Sequence, residues 1–139
     1  MKLAKIADFM QRDFAHITPD MLVAAASNQL VKHTMLGAPV VDADGKLAGW
    51  ISEQECLKVT IQVVYHNQRV ATVGEVMKPD VLTVSLNQDP LALAQQMLQE
   101  KPKNYPVVDA QGKVVGVLNR RHLLTLLLDQ LPTLGRSAG

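Results

Sequence analysis

Short apolar runs alternate with polar punctuation along this chain, and the cycle of runs occurs twice. Its clearest piece is Ala38-Pro39-Val40-Val41, then polar Asp42 to Lys46, then Leu47-Ala48-Gly49. The same order returns as Tyr105-Pro106-Val107-Val108, polar Asp109 to Lys113, and Val114-Val115-Gly116, displaced by 67 positions throughout. Between Pro39 and Gly49, eight of eleven residues are identical to their partners. Each copy predicts a strand, a tight polar turn and a second strand, because β-branched residues flank Asp and Gly turn chemistry. Self-similarity at a fixed period marks an architecture built from one repeated unit.

The rest of each cycle follows from helical and strand spacing. A short helix is predicted over residues 3–10, with Ile6, Phe9 and Met10 on one side, and a strand over 14–17. Thr18-Pro19-Asp20 predicts a helix start, since Thr can cap and Pro suits the first turn. Leu22, Ala26 and Leu30 form its inward stripe, with Val23 and Val31 alongside. After the hairpin strands 38–42 and 46–51, Ser52 opens a helix carrying Leu57, Thr60, Ile61 and Val64 at i, i+3, i+4 and i+7. In the second copy, Val73 to Met77 matches Ile6 to Met10, and residues 81–84 predict a strand. A helix over 87–100 turns Leu91, Ala94 and Leu98 inward, with Met97 beside them. A second hairpin spans 105–109 and 113–118, and Asn119 opens a last helix that Pro132 stops. The resulting layout is repeat 1 over 1–66, a linker at 67–70, repeat 2 over 71–131 and a mobile tail at 132–139. Two small sheets of six strands in all, with helices outside them, make an α+β fold.

Composition narrows the function classes. Halves of about 65 residues bury too little surface to be stable singly, so they are expected to pack together. A net charge of +1 over 139 residues offers no field for nucleic acid or an anionic membrane. No apolar run approaches the ~18 residues of a membrane span. The N-terminus meets charge too early for a signal peptide. Cys56 is the only cysteine, which excludes an intrachain disulfide and suits a reducing cytoplasm. Its expected state is a buried, inert thiol, because no basic partner is evident. His16, His33, His66 and His122 show no metal-ligand spacing. No Gly-rich phosphate loop, catalytic triad or carboxylate pair can be made out, so no enzyme is expected.

These residues carry a resemblance. The chain resembles a tandem pair of CBS domains, a Bateman module. The matching marks are Asp8-Phe9-Met10 and Glu75-Val76-Met77, Ile17-Thr18 and Thr83-Val84-Ser85, and the Pro-Val-Val-Asp hairpins. Gly49-Trp50-Ile51-Ser52 and Gly116-Val117-Leu118-Asn119 complete the set, which spans residues 3 to about 131. The resemblance implies two βαββα repeats related by a pseudo-two-fold, in a stand-alone regulatory module. It also implies an adenosyl ligand (AMP, ADP, ATP or S-adenosylmethionine) in the cleft between repeats, and control of a partner protein not identified by sequence.

The implied ligand residues are taken one at a time. An Asp three residues after a Ser or Thr is expected to hold the ribose. Glu55 stands there after Ser52 in the first copy, and His122 after Asn119 in the second. A carboxylate accepts hydroxyl hydrogen bonds from either Asp or Glu. Arg120 and Arg121 offer donors to phosphate, or form a solvated helix face. The implied base pocket is lined by Ile17, Thr18, Gly37 and Ala38 in one copy, and by Thr83, Val84, Asn104 and Tyr105 in the other. Tyr105 either stacks on adenine or fills the pocket. Ser52 to Glu55 also reads as a capping box, and Asn119 as an N-cap. The alternative function is a dimerisation or protein-interaction module with degenerate nucleotide sites.

The last helix is apolar on more than one face, with Leu123, Leu124, Leu126, Leu127, Leu128 and Leu131. One stripe serves the core. The others, with Val63 and Val64, are expected to form a homodimer contact, in which Leu127 is a contact residue.

Overall fold

The computed structural model describes residues 5–99 and 104–131. The expected helix end at Glu100, the stop at Pro132 and the tail 132–139 lie outside the described residues, as do Leu3 and Ala4. The described residues begin with a single 3-10 turn, Ile6–Asp8, and the helix does not continue over residues 9–10. Then follow α1 (Val23–His33), β1 (Gly37–Val41), β2 (Leu47–Ser52) and α2 (Glu53–His66). The second copy gives α3 (Val73–Val76), β3 (Val84–Ser85), α4 (Pro90–Gln99), β4 (Asn104–Val108), β5 (Val114–Asn119) and α5 (Arg120–Asp129).

Both hairpins form as predicted, and for the same local reason. Asp42 Oδ1 accepts the backbone N–H groups of Asp44 and Lys46, each at 2.9 Å. Asp109 Oδ1 accepts those of Gln111 and Lys113 at 2.9 and 3.0 Å. Gly45 and Gly112 close the turns at φ of 82° and 80°, a left-handed conformation that glycine adopts without strain. The two turns then meet each other. Lys46 and Lys113 form an antiparallel bridge, and Val114 N–H donates to Gly45 O at 3.0 Å. This contact joins equivalent points of the two copies and lies where the pseudo-two-fold requires.

Among the described residues five strands form, against the six expected. The strand expected at 14–17 is reduced to one parallel bridge, Ile17 to Val40, with Val41 N–H donating to Ile17 O at 2.9 Å. Its counterpart, expected over 81–84, is the two-residue β3, paired in parallel with β4. The sheets are therefore β1-β2 and β3-β4-β5.

Helix α1 begins at Val23, later than Thr18-Pro19-Asp20 suggested. The Thr18 hydroxyl donates to Asp20 Oδ1 at 2.8 Å and so stabilises a turn. Residues 19–22 are then held against residues 71–74. Val23 N–H donates to Ala71 O, Val73 N–H to Met21 O and Gly74 N–H to Pro19 O, at 2.8 to 2.9 Å. The Val23 N–H and the Pro19 and Met21 carbonyls, which an earlier helix would use, are satisfied across this contact instead.

Which apolar stripe faces inward also differs from expectation. In α1, Val23, Ala26 and Leu30 are buried, while Leu22 and Val31 are exposed. In α2 the buried side is Cys56 with Val59 packed beside it, and the stripe Leu57, Thr60, Ile61, Val64 faces outward. In α4, Leu93 and Met97 are buried with Ala94 beside them, whereas Leu91 and Leu98 are exposed. In α5, Leu123 and Leu126 are buried and Leu127 packs against the same core, leaving Leu124, Leu128 and Leu131 exposed. Each helix carries two apolar stripes, and contact with its sheet selects one.

The two cores exchange their leading segments. Ile6 and Met10 pack with Leu93, Tyr105, Leu118 and Leu123 of the second copy. Val73 and Met77 pack with Ile17, Leu30, Val40 and Ile51 of the first. Bridges Gln11 to Val117 and Trp50 to Lys78 fix both crossings. Glycine permits the close approach. A Cβ on Gly116 would stand 2.6 Å from Met10 Sδ, and one on Gly49 would stand 2.7 Å from Met77 Sδ and from Lys78 O.

Candidate functional site

The sheets bring the expected ligand residues into two clusters, one per copy. In the first, β1 and β2 place Gly37 opposite Ser52 and Ala38 opposite Ile51. Ile17 is bridged to Val40 of β1. Gly37, Ala38 and Ile17 are buried, while Thr18, Ser52 and Glu55 stay partly accessible. In the second, Asn104 stands opposite Asn119 and Tyr105 opposite Leu118. Val84 and Tyr105 are buried there, Asn104, Asn119 and His122 are partly accessible, and Thr83, Arg120 and Arg121 are exposed.

Tyr105 is 1% exposed, within the core that holds Ile6, Leu93 and Leu123. Its ring packs inside that core.

The equivalent helix starts differ in chemistry. At α2, Ser52 Oγ accepts the Glu55 N–H at 3.1 Å, and Glu53 N–H donates to Leu36 O at 2.8 Å. The reciprocal half of the predicted capping box is absent, because the Glu55 carboxylate does not return to Ser52 N–H. Among the described residues that carboxylate has no hydrogen-bond or ion-pair partner, although its residue is partly buried. At α5, both halves are present. Asn119 Oδ1 accepts the His122 N–H at 2.8 Å, and His122 Nδ1 accepts the Asn119 N–H at 3.2 Å. Burial, and secondarily the Arg121 guanidinium, hold the His122 imidazole below its ordinary pKa. Its Nδ1 is committed to the Asn119 backbone N–H.

A groove of about 780 Å³ lies between α1 and α2, lined by Ser27, Leu30, Val31, Leu36, Cys56 and Leu57 among others. Sequence reading missed it, because Leu57 was expected to face inward. Cys56 forms part of its wall, and burial pushes its thiol pKa up, so it is a poor nucleophile at neutral pH. Among the described residues no group of His, Cys, Asp and Glu is arranged to hold a metal ion. No described helix is long and apolar enough to cross a membrane.

The CBS domain family model matches residues 6–61 and 73–129. The structure of CBSX2 from Arabidopsis thaliana is 28% identical, with a TM-score of 0.79, covering 92% of this chain and 96% of that one. CBSX2 in complex with AMP is 27% identical, with a TM-score of 0.76, covering 90% and 96%. The uncharacterized protein MJ1004 from Methanocaldococcus jannaschii is 28% identical over 82% of this chain. This chain spans 52% of that relative's length and 64% of the length of the chloroplastic CBSX1 of Arabidopsis thaliana. With both copies matched in sequence and superposed in structure, the chain belongs to the CBS domain family, as a tandem pair.

Proposed function

We propose that this CBS pair is a regulatory module, without chemistry of its own, that binds an adenosyl ligand of the AMP, ADP, ATP or S-adenosylmethionine class. The observation that carries this is the unpartnered Glu55 carboxylate at the start of α2. The carboxylate has no partner among the described residues, and its oxygens can accept the two hydroxyls that a ribose supplies. The bound AMP in the CBSX2 structure supports the ligand class. Ser52, Glu55, Thr18, Gly37, Ala38 and Ile17 are the first-copy part of the site, and Thr83, Val84 and Asn104 the second-copy part. The equivalent position in the second copy is spent on capping, so we assign ligand binding to the Glu55 side. Arg120 and Arg121 remain free to meet phosphate.

The same chain is a homodimer in this proposal. Leu57, Ile61 and Val64 of α2, Leu124 and Leu128 of α5, and Leu131 just beyond it expose apolar surface that a monomer would leave in water. Occupancy reaches a regulated partner as a shift between dimer arrangements, to the extent that the ligand binds one arrangement better. A single cysteine and no need for a disulfide suit the cytoplasm.

A thermal-shift panel of AMP, ADP, ATP and S-adenosylmethionine tests the function. At about 100 times its dissociation constant, a ligand stabilises by about 2.7 kcal/mol, or roughly 5–10 °C here. A flat panel at millimolar ligand refutes the sensor and favours a dimerisation module with degenerate sites, for which the closed His122 position already argues.

A further inference from the structure

Gly37 starts β1 without a backbone reason to be glycine, since its φ is not positive as those of Gly45 and Gly112 are. The reason is steric. A Cβ on Gly37 would stand 2.6 Å from Trp50 Nε1 and 3.1 Å from Trp50 Cε2, so the indole lies directly against the Gly37 backbone. The register puts it there. Gly37 pairs with Ser52 and Pro39 with Trp50, and residues two apart on a strand share a face. Ile51 between them turns into the first core, so Trp50, Ser52 and the bare side of Gly37 share the opposite face. The second copy is built otherwise. At the offset of 67, Asn104 replaces Gly37 and Val117 replaces Trp50. The copy that keeps an unpartnered acid, Glu55, is the copy that carries the indole.

The Trp50 side chain is held less firmly than its backbone. It belongs to neither core, it is only partly buried, and its Nε1–H has no acceptor among the described residues. The backbone is fixed on both sides. It pairs with Pro39 on one, and on the other its N–H donates to Lys78 O at 2.9 Å while its carbonyl accepts the Lys78 N–H at 2.8 Å. Moving the indole therefore needs only rotation between staggered side-chain rotamers.

We infer that the Trp50 indole occupies the base position beside Gly37 in the ligand-free protein, and that an adenosyl ligand fills the first-copy site only when the indole swings away. This rests on the Glu55 site proposed above and adds the residue that sets its affinity. The space in front of Gly37 takes one planar ring at a time, the indole or the purine. The apparent dissociation constant is the intrinsic one divided by the open fraction, so an indole that leaves the position open in about one molecule in ten weakens binding about tenfold.

Calorimetric titration with AMP, ADP, ATP and S-adenosylmethionine tests this on the unsubstituted chain, Trp50→Val and Trp50→Phe. Valine is the residue of the second copy, and phenylalanine keeps a ring without the Nε1 edge, so either variant serves if circular dichroism shows the other unfolded. Trp50→Val is expected to bind about tenfold tighter, and Trp50→Phe tighter by less. Unchanged affinity in a folded variant overturns the inference, and so does weaker binding, which would make the indole a platform for the base. Trp50 is the only tryptophan, so the emission of the unsubstituted chain reports this ring alone. On saturation it is expected to shift to longer wavelength and to become more open to acrylamide quenching. Calorimetric binding without either change overturns the cover and leaves the Glu55 site standing. No binding of any of the four ligands to any of the three proteins overturns the site and the cover together.

Discussion

Asn119 and His122 cap each other: the side chain of each accepts the backbone N–H of the other, at 2.8 and 3.2 Å. Ser52 and Glu55, the equivalent pair 67 residues earlier, complete only one of these bonds, at 3.1 Å. The two halves of the protein therefore use the same position for different purposes, one as a cap and one as a free acid.

Substitution separates the two. Asn119→Ala removes the cap acceptor and is expected to cost about 1 kcal/mol in urea unfolding. Glu55→Ala removes no intramolecular partner and is expected to change stability by less than ~0.5 kcal/mol. It should, however, abolish the thermal shift given by whichever nucleotide stabilises the unsubstituted protein. A retained shift in Glu55→Ala removes Glu55 from the site.

The same cap makes stability depend on pH. The folded-state pKa of His122 is lowered by burial and by Arg121, so below about pH 6.5, the ordinary histidine value, the unfolded chain binds the proton first. The contribution is complete above that pH and is lost as pH falls toward the lowered folded value. Protonation also removes the Nδ1 lone pair that receives the Asn119 N–H. His122→Gln keeps an acceptor of capping-box type without the titration. Denaturant midpoints between pH 8 and 5 should fall less in His122→Gln than in the unsubstituted chain. Parallel curves would locate the pH dependence elsewhere.

The crossed leading segments should be sensitive to a single methyl. Gly116→Ala meets the flexible end of Met10 and, at 3.1 Å, Gln11 O, whereas Gly49→Ala meets the rigid Lys78 O at 2.7 Å. Both are expected to destabilise by about 1–3 kcal/mol, Gly49→Ala by more, since backbone yields less than a methionine terminus. Adding Met10→Ala to Gly116→Ala should recover part of its loss in a double-mutant cycle. Simple additivity would show that the methionine is not the obstacle.

The apolar surface proposed for a dimer contact excludes Leu127, which the helix pattern had included. Leu127 packs against the second core, so Leu127→Glu is expected to lower the melting temperature. Leu128 is exposed, so Leu128→Glu should keep the fold by circular dichroism and give a single-chain mass by light scattering. A dimeric mass for Leu128→Glu would exclude this face.

The sequence by itself determined the doubled architecture, both hairpins and the family. The chemistry behind these is local: Asp42 and Asp109 fold back on their own turns, and Gly45 and Gly112 stand where a left-handed residue is needed. It also determined that α5 carries more apolar surface than one core uses. Tertiary contact alone decided the rest. Helical spacing marks an apolar stripe but not the direction it faces, so Leu57 and Leu98 were expected inside and are outside, displaced by Cys56 and Met97. Thr18 and Pro19 are good helix-starting residues whose helix begins later, because residues 71–74 claim the adjoining backbone. The exchange of Met10 and Met77 between cores and the burial of Tyr105 depend on residues far apart in the chain. Period and propensity carry no information about such partners.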